Sequence, residues 1–250
     1  MQRYFLNQTY HDEKEVKLQG EIYHHIARVM RMPAGARFYC VFQEEKACIC
    51  EIRKITADTV FAEIMEWEKT GKELPVHITI ASGLPKGDKL EWIIQKATEL
   101  GAYEFLPFIA ARSIVKWDEK KEKKKRGRWQ KIAVEAAEQS HRQHAPSVNP
   151  PVAFKELLNL SRTYNHKLVA FEENAKQGEQ HHFAETLADM KEGESALIVF
   201  GPEGGLTREE VDKLTEYGFR ACGLGPRILR AETAPLYALS AISYHLELMR

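Results

Sequence analysis

The 250-residue sequence contains no apolar run approaching the length of a membrane span, which excludes a helical membrane protein. Its opening, MQRYFLNQTY, has no apolar core of the signal-peptide kind, and this predicts a cytoplasmic protein. Cysteine is scarce: Cys40, Cys48, Cys50 and Cys222 are the four, and none form a C-x-x-C pair. Small apolar thiols in a reducing compartment are expected, rather than a disulfide framework or a zinc ribbon. Neither sign of charge is in excess, with 36 basic and 36 acidic side chains. A generic cationic coat for nucleic acid is thereby excluded, although a local basic face is not. Histidine offers no metal site: His24-His25 and His181-His182 are adjacent pairs that share no helix face, and His141 with His144 lacks a third ligand. Familiar signatures are missing as well. There is no G-x-x-x-x-G-K-[ST], no G-x-G-x-x-G after a first strand, and ASGLP (81–85) is not a G-x-S-x-G elbow.

What is present is a globular composition, 44% hydrophobic and 29% charged, in two textures. RFYCVF (37–42), ACICEIRKI (47–55) and TVFAEIM (59–65) are closely spaced runs of strand formers, the pattern of a small barrel or sandwich. The polar EKTGKELP (68–75) reads as a linker. Beyond it, strands alternate with helices. VHITIASGL (76–84), EFLPFI (104–109), KLVAF (167–171), SALIVF (195–200) and RACGLG (220–225) read as strands. Helices are predicted over 87–102, 128–143, 207–219 and 232–248. In the first of these Leu90, Ile93, Ile94, Ala97 and Leu100 form one stripe, Asp88 with Glu91 predicts a capping box, and Gly101 suits the C′ position. Thr207 with Glu210 predicts a second box. Alternation of this kind predicts an α/β fold on a mostly parallel sheet.

Two loops stand out because ligands of open α/β sheets bind at the carboxyl ends of strands. GPEGGLT (201–207) follows SALIVF directly and leads into a helix. Its glycines allow backbone groups to approach a ligand closely, although a ligand-free turn needs glycine too. LGPRILRAETA (224–234) repeats the arrangement and adds two arginines, a carboxylate and a threonine. Packing alone rarely retains that many polar groups at a strand end.

GPEGGLT followed by LGPRILRAETA resembles the signature of the SPOUT methyltransferases. More closely, the chain is similar to the bacterial family that methylates N3 of a uridine in 16S ribosomal RNA. HHIARVMRMPAG (24–35), KGDKLEWIIQKATELG (86–101), ARSIVK (111–116) and AVEAAEQSHR (133–142) carry the same resemblance in family order, so it spans essentially the whole chain. It implies a PUA-like β-barrel over residues 1–72 that helps to bind RNA. Residues 73–250 would form a SPOUT methyltransferase domain with a deep C-terminal trefoil knot. The implied cofactor is S-adenosylmethionine, held by Phe171, Glu172, Phe200, Gly201, Pro202, Gly204, Gly205, Leu224, Gly225, Ile228, Leu229, Thr233 and Ala234. Phe200 stands where relatives often have isoleucine and Leu206 where many have phenylalanine, and both keep an apolar residue. The resemblance further implies a homodimer with the closing helix in its interface, and 16S rRNA within the 30S subunit as substrate. On this basis the first loop accommodates a nucleoside without phosphate, and Gly201, Gly204 and Gly205 keep side chains out of its way.

Methylation at N3 of uracil needs its proton removed and the resulting negative charge stabilised on the carbonyl oxygens. A carboxylate suits the first task and a guanidinium the second, which nominates Glu232 and Arg230. Arg230 holding the RNA backbone, and Glu232 in a structural ion pair, are the alternatives. Arg227 fits a phosphate or positioning contact. KWDEKKEKKKRGRWQK (116–131) holds nine basic and three acidic residues, and Gln139, Ser140 and Arg142 are expected to share a helix face beyond it. RNA contacts are predicted there and at Arg28, Arg31 and Arg112, against the plain alternative of a solvated charged surface. Two further functions stay open: a methyltransferase of the same fold acting on another RNA or a 2′-hydroxyl, and a non-catalytic RNA-binding assembly factor.

Overall fold

The computed structural model describes residues 1–113, 119–171 and 181–249. It divides into two compact units, Met1–Glu73 with Ala137–Ala145, and Leu74–Ala136 with Pro146–Arg250.

The first unit holds β1 (Arg3–Phe5), β2 (Glu15–Leu18), β3 (Arg37–Val41), β4 (Ala47–Ile55) and β5 (Val60–Trp67). Helix α1 (Gly20–His24) continues as a wider π turn, His25–Val29. The strands form one sheet in the order β1-β3-β4-β5-β2, parallel between β1 and β3 and antiparallel elsewhere. Register shifts at Ile49/Cys50 and Ile52/Lys54 bend the β4–β5 pair. The result is a curled half-barrel of the PUA-like kind. Alternate residues face inward: Phe38 and Cys40, then Cys48, Cys50 and Ile52, then Val60 and Ala62. All four cysteines of the chain are buried and free. β1 and β2 were not legible in the sequence, because three or four residues are too few to establish a period.

The segment 137–145 corrects one expectation. Helix ends at Gln139, His141 adopts φ 59°, and the turn carries Arg142 inward until only 3% of it is exposed. Its Nε donates to Glu73 at 2.9 Å. The other oxygen of Glu73 accepts the backbone N–H groups of Gln143 (2.9 Å) and His144 (3.1 Å). Arg3, also buried, donates to the Arg142 carbonyl at 3.0 Å and pairs with Glu68 at 2.8 Å. Arg142 is therefore an interior ion-pair partner, and it shares no helix face with Gln139 and Ser140. A buried guanidinium is tolerated only with such partners.

The second unit is built on β6 (His77–Ser82), β7 (Glu104–Phe105), β9 (Ser147–Val148), β11 (His166–Ala170), β12 (Ser195–Phe200) and β13 (Arg220–Cys222). Their order is β13-β11-β12-β6-β7-β9 and every pairing is parallel. β8 (Phe108–Ile109) and β10 (Val152–Ala153) form a separate parallel pair. EFLPFI is thus two strands rather than one. Pro107 has no N–H to give a ladder and ends the first of them. The helices are α2 (Lys89–Glu99), α3 (Glu119–Gln139), α4 (Phe154–Leu160), α5 (His181–Asp189), α6 (Arg208–Glu216) and α7 (Thr233–Ser243), the last extended by a π turn, Tyr244–Leu248.

Both faces of the sheet are covered. Ile78, Ile80, Ala196, Ile198 and Phe200 join α2, α3 and α7 through Ile93, Ile94, Trp129, Leu239 and Ile242. Leu197, Val199 and Val169 join Leu157, Val211 and Leu214 on the other side. Burial on both faces is why SALIVF is continuously apolar instead of alternating.

Gly101 closes α2 at φ 95°, as its sequence predicts, but Asp88 makes no side-chain cap. Asp88 and Glu91 instead accept from Lys125 of α3 at 3.3 and 3.1 Å, and Glu91 also pairs with Arg128 at 2.7 Å. At α6 the box is complete: Thr207 Oγ1 accepts from Glu210 N at 3.2 Å, and Glu210 accepts from Thr207 N at 2.9 Å. Thr207→Ala is expected to cost about 1 kcal/mol. Asp88→Ala, with no cap to lose, should change stability by less than about 0.5 kcal/mol. Urea midpoints at constant m-value distinguish the two.

Candidate active site

Parallel pairing sets Ser82, Phe200, Ala170 and Cys222 in one row across β6, β12, β11 and β13. The chain leaves the sheet from all four positions at one edge. Gly83 N–H bonds the Phe200 carbonyl (2.8 Å) and Phe171 N–H the Cys222 carbonyl (3.0 Å), so the first loop residues stay tied to the sheet. Around this edge lies a cavity of about 670 Å³, lined from Phe171, the 200–206 loop, the 224–232 loop and the first residue of α2. Its size is that of a small-molecule site.

The glycines are needed for a further reason, the packing of the protein on itself. A Cβ on Gly201 would lie 2.9 Å from the Gly205 carbonyl carbon and from Leu206 N. One on Gly204 would lie 3.1 Å from Arg112 Cβ. Gly205 and Gly225 take φ of 69° and 89°, where a side chain is strained. Gly83 packs so tightly on Pro202 that a Cβ would fall 2.6 Å from Cδ of its ring. The first loop is thus folded against itself, and the missing side chains make room for protein as much as for ligand.

Three of the charged groups that line the cavity form a cluster. Lys89 Nζ lies 3.0 Å from Glu203 Oε1 and 3.5 Å from Glu232 Oε2. Both Glu203 oxygens also face the Lys86 backbone N–H, at 3.1 and 3.4 Å. The hydrogen bond to Glu203 raises Lys89 above its usual range. Burial pushes the Glu203 carboxyl up, but its backbone bonds and Lys89 outweigh that and hold it below the usual value. Glu232 Oε2 is buried and, beyond the Lys89 ammonium at 3.5 Å, accepts no hydrogen bond among the described residues. Apolar walls and accessible backbone suit a nucleoside, and the charge of the lining is mixed: Glu203 and Glu232 share it with Lys89, Arg112, Arg208, Arg227 and Arg230.

The sequence from 72 to 243 matches the model of an RNA methyltransferase domain, and 18–65 matches an RNA methyltransferase PUA domain. The chain belongs to this RNA methyltransferase family. It is 53% identical to the ribosomal RNA small subunit methyltransferase E of Bacillus subtilis, over 100% of this chain and 99% of that protein. The corresponding enzyme of Neisseria gonorrhoeae, solved bound to S-adenosyl methionine, is 31% identical with a TM-score of 0.85 over 97% of each chain. A Legionella pneumophila methyltransferase in complex with the same cofactor is 28% identical with a TM-score of 0.82 over 96% of each chain.

Of the residues singled out from the methyltransferase motifs, the cavity gathers Phe171, Phe200, Gly201, Pro202, Gly204, Gly205, Leu224, Gly225, Ile228, Leu229, Ala234, Arg230 and Glu232. Arg112 and Arg227 line it too. Thr233 is not among the lining residues, and Glu172 lies outside the described residues. Arg28 and Arg31 are exposed in the first unit, Arg28 with its guanidinium 6.0 Å from the Tyr23 ring centre. Of the basic run 116–131, residues 116–118 fall outside the described chain and the rest is helix. Arg112 braces the first loop, donating to the Gly204 carbonyl at 2.7 Å. Sequence reasoning gave no role to Lys89, Glu203 or Arg208, all of which line the cavity. The available signal was position, since Lys89 opens the helix after β6, at the same sheet edge as the two loops.

Two outcomes follow from this geometry. Gly201→Ala should destabilise by about 1–3 kcal/mol through overpacking, whereas Gly127→Ala, exposed in α3 with nothing within 4 Å, should stabilise by about 0.5–1 kcal/mol. Thermal unfolding reads both. Glu203 has a lowered folded pKa, so its contribution to stability is complete above 4.5 and lost as pH falls through the folded value. Lys89 has a raised one, so its contribution is complete below 10.5 and lost as pH rises through the folded value. Carboxyl carbon NMR should find the Glu203 midpoint below 4.5, moving back up in Lys89→Met.

Proposed function

We propose that this chain transfers a methyl group from S-adenosylmethionine to N3 of a uridine in small-subunit ribosomal RNA. Its substrate is the assembled 30S subunit in the cytoplasm. The observation that carries this reading is the single cavity that joins Arg230 and Glu232 to both loops. The names of the relatives support the substrate class, and the bound cofactor of two solved relatives supports the donor.

Phe171, Phe200, Leu206, Leu224 and Leu229 would hold the apolar faces of the cofactor, with loop backbone reading its polar edge. When bound, S-adenosylmethionine supplies a methyl group on cationic sulfur, and the electron pair of the broken C–S bond stays on sulfur. Glu232 accepts the N3 proton, which frees the nitrogen lone pair to bond the methyl carbon. Arg230, exposed and without an ion pair among the described residues, stabilises charge on a uracil carbonyl oxygen as it develops. Arg227 at the cavity, and Arg28 and Arg31 on the first unit, hold phosphates. Arg112 keeps guanidinium donors to spare beyond its bond to Gly204 and serves the same backbone.

The chain acts as a homodimer. Ile228 (71% exposed), Tyr237, Tyr244, Leu248 and Met249 expose a series of large apolar side chains along the C-terminal segment, which supports an interface there. The trefoil threading expected of this fold belongs to the same reading.

The test is transfer of labelled methyl to 30S subunits from cells lacking the enzyme, with the product mapped by mass spectrometry. N3-methyluridine at one position is expected. Methyl on a 2′-hydroxyl or another RNA, or donor binding without transfer, would select an alternative. Arg230→Ala should reduce turnover by about 10²–10³-fold while calorimetry still detects donor binding. Near-normal turnover would remove Arg230 from the mechanism.

A further inference from the structure

At one side of the cavity, whose lining also carries Arg112, Arg208, Arg227 and Arg230, Lys89 sits between two carboxylates whose environments differ. Glu203 is the more tightly held: Lys89 is 3.0 Å away, and the Lys86 N–H lies within 3.4 Å of both its oxygens. Glu232 is held more loosely: its buried Oε2 has that ammonium at 3.5 Å and accepts no well-formed hydrogen bond among the described residues. Glu232 directly precedes α7, and the N–H groups of Thr233 and Ala234 bond the Arg230 carbonyl, which fixes it beside that arginine.

We infer that Lys89 and Glu203 are positioning residues for the transfer, with Glu203 the fixed counter-ion of Lys89 and Glu232 the carboxylate left to take the proton. The inference rests on the function proposed above and assigns roles within that site. Its physical basis is charge bookkeeping. One ammonium between two carboxylates carries a net charge of minus one at rest. When the N3–H bond breaks and its proton moves to Glu232, the cluster becomes neutral, and Lys89 keeps Glu203 as partner. Were Glu232 its sole counter-ion, the same step would strand an ammonium beside the cavity, and partial burial makes that unfavourable. Lys89 itself stays protonated throughout, since its bond to Glu203 raises it further from neutrality. It orients the acceptor and carries no proton. Because Lys89 reaches Glu203 on one loop and Glu232 at the end of the other, it also fixes their relative position.

The experiment compares Lys89→Met, Lys89→Arg, Glu203→Gln and Glu232→Gln in the full-length protein. Single-turnover methylation of 30S subunits is followed against pH, beside calorimetric affinity for S-adenosylmethionine and thermal unfolding. A partly exposed ion pair contributes little to stability, so Lys89→Met should fold. It should lose about 10–100-fold in rate, the cost of a misplaced reacting group, with donor affinity and unfolding temperature nearly unchanged. The acid limb of its rate profile should move to higher pH, and Lys89→Arg should recover most of the rate. Glu203→Gln should slow the step in the same way, because Glu232 then becomes the sole counter-ion. Lys89→Met at wild-type rate with an unmoved profile overturns the inference, as does a rate loss matched by lost donor affinity. If Lys89→Met is unimpaired while Glu232→Gln abolishes transfer, the positioning role fails and the proposed function stands. If Glu232→Gln turns over normally, the proton-acceptor assignment itself falls.

Discussion

The site depends on the register of four parallel strands. Ser82, Phe200, Ala170 and Cys222 are cross-strand neighbours in a row, so the segments after them begin at one level. Parallel pairing imposes crossovers, and crossovers place helices on the sheet faces, where they bury it on both sides. The edge at the carboxyl ends is left for loops. A one-residue slip of β12 would turn Phe200 from one core to the other and carry Gly201 off the row, so the apolar pattern that stabilises the sheet also aims the first loop.

Charge organisation radiates from one turn of helix. At the start of α2, Lys89 reaches Glu203 and Glu232 at the cavity, while Asp88 and Glu91 reach Lys125 and Arg128 of α3. Neighbouring residues thus serve the site and the packing of the following helix. Asp88 and Glu91 lie near the positive end of the helix dipole, which favours carboxylates there whether or not they cap it. That explains how two acids can resemble a capping box in sequence and act as counter-ions in the structure.

What the sequence disclosed and what it hid follow from the range of the interactions. The strand at 195–200, the stripe on α2 and the Thr207–Glu210 box are local, and each was legible. The two loops were legible because the second adds clustered charge to a glycine-rich strand end, and because together they resemble a family signature. Arg142 misled because its partner, Glu73, is 69 positions away and nothing near Arg142 announces burial. Lys89 stayed invisible for the same reason, since both of its carboxylates come from distant loops. β1 and β2 were missed through brevity, and EFLPFI was read as one strand because its apolar character outweighed the single proline that divides it.

The glycines of the first loop bear on how the cavity works. Had they served only as clearance for a ligand, the loop would be free to sag into the empty space. Instead Gly201 is filled by the backbone of Gly205 and Leu206, Gly204 by the stem of Arg112, and Gly83 abuts Pro202. The Gly205 N–H closes a turn onto the Pro202 carbonyl at 2.8 Å, and Arg112 binds the Gly204 carbonyl from outside. Such a loop is held by its own contacts before any ligand arrives. Little of the binding energy then goes into ordering it, and its backbone donors and acceptors already stand at fixed positions. Methyl transfer to a nitrogen needs donor and acceptor in line, so if this loop holds the donor, as proposed above, its rigidity is itself a catalytic property. The close packing of glycine on glycine provides it.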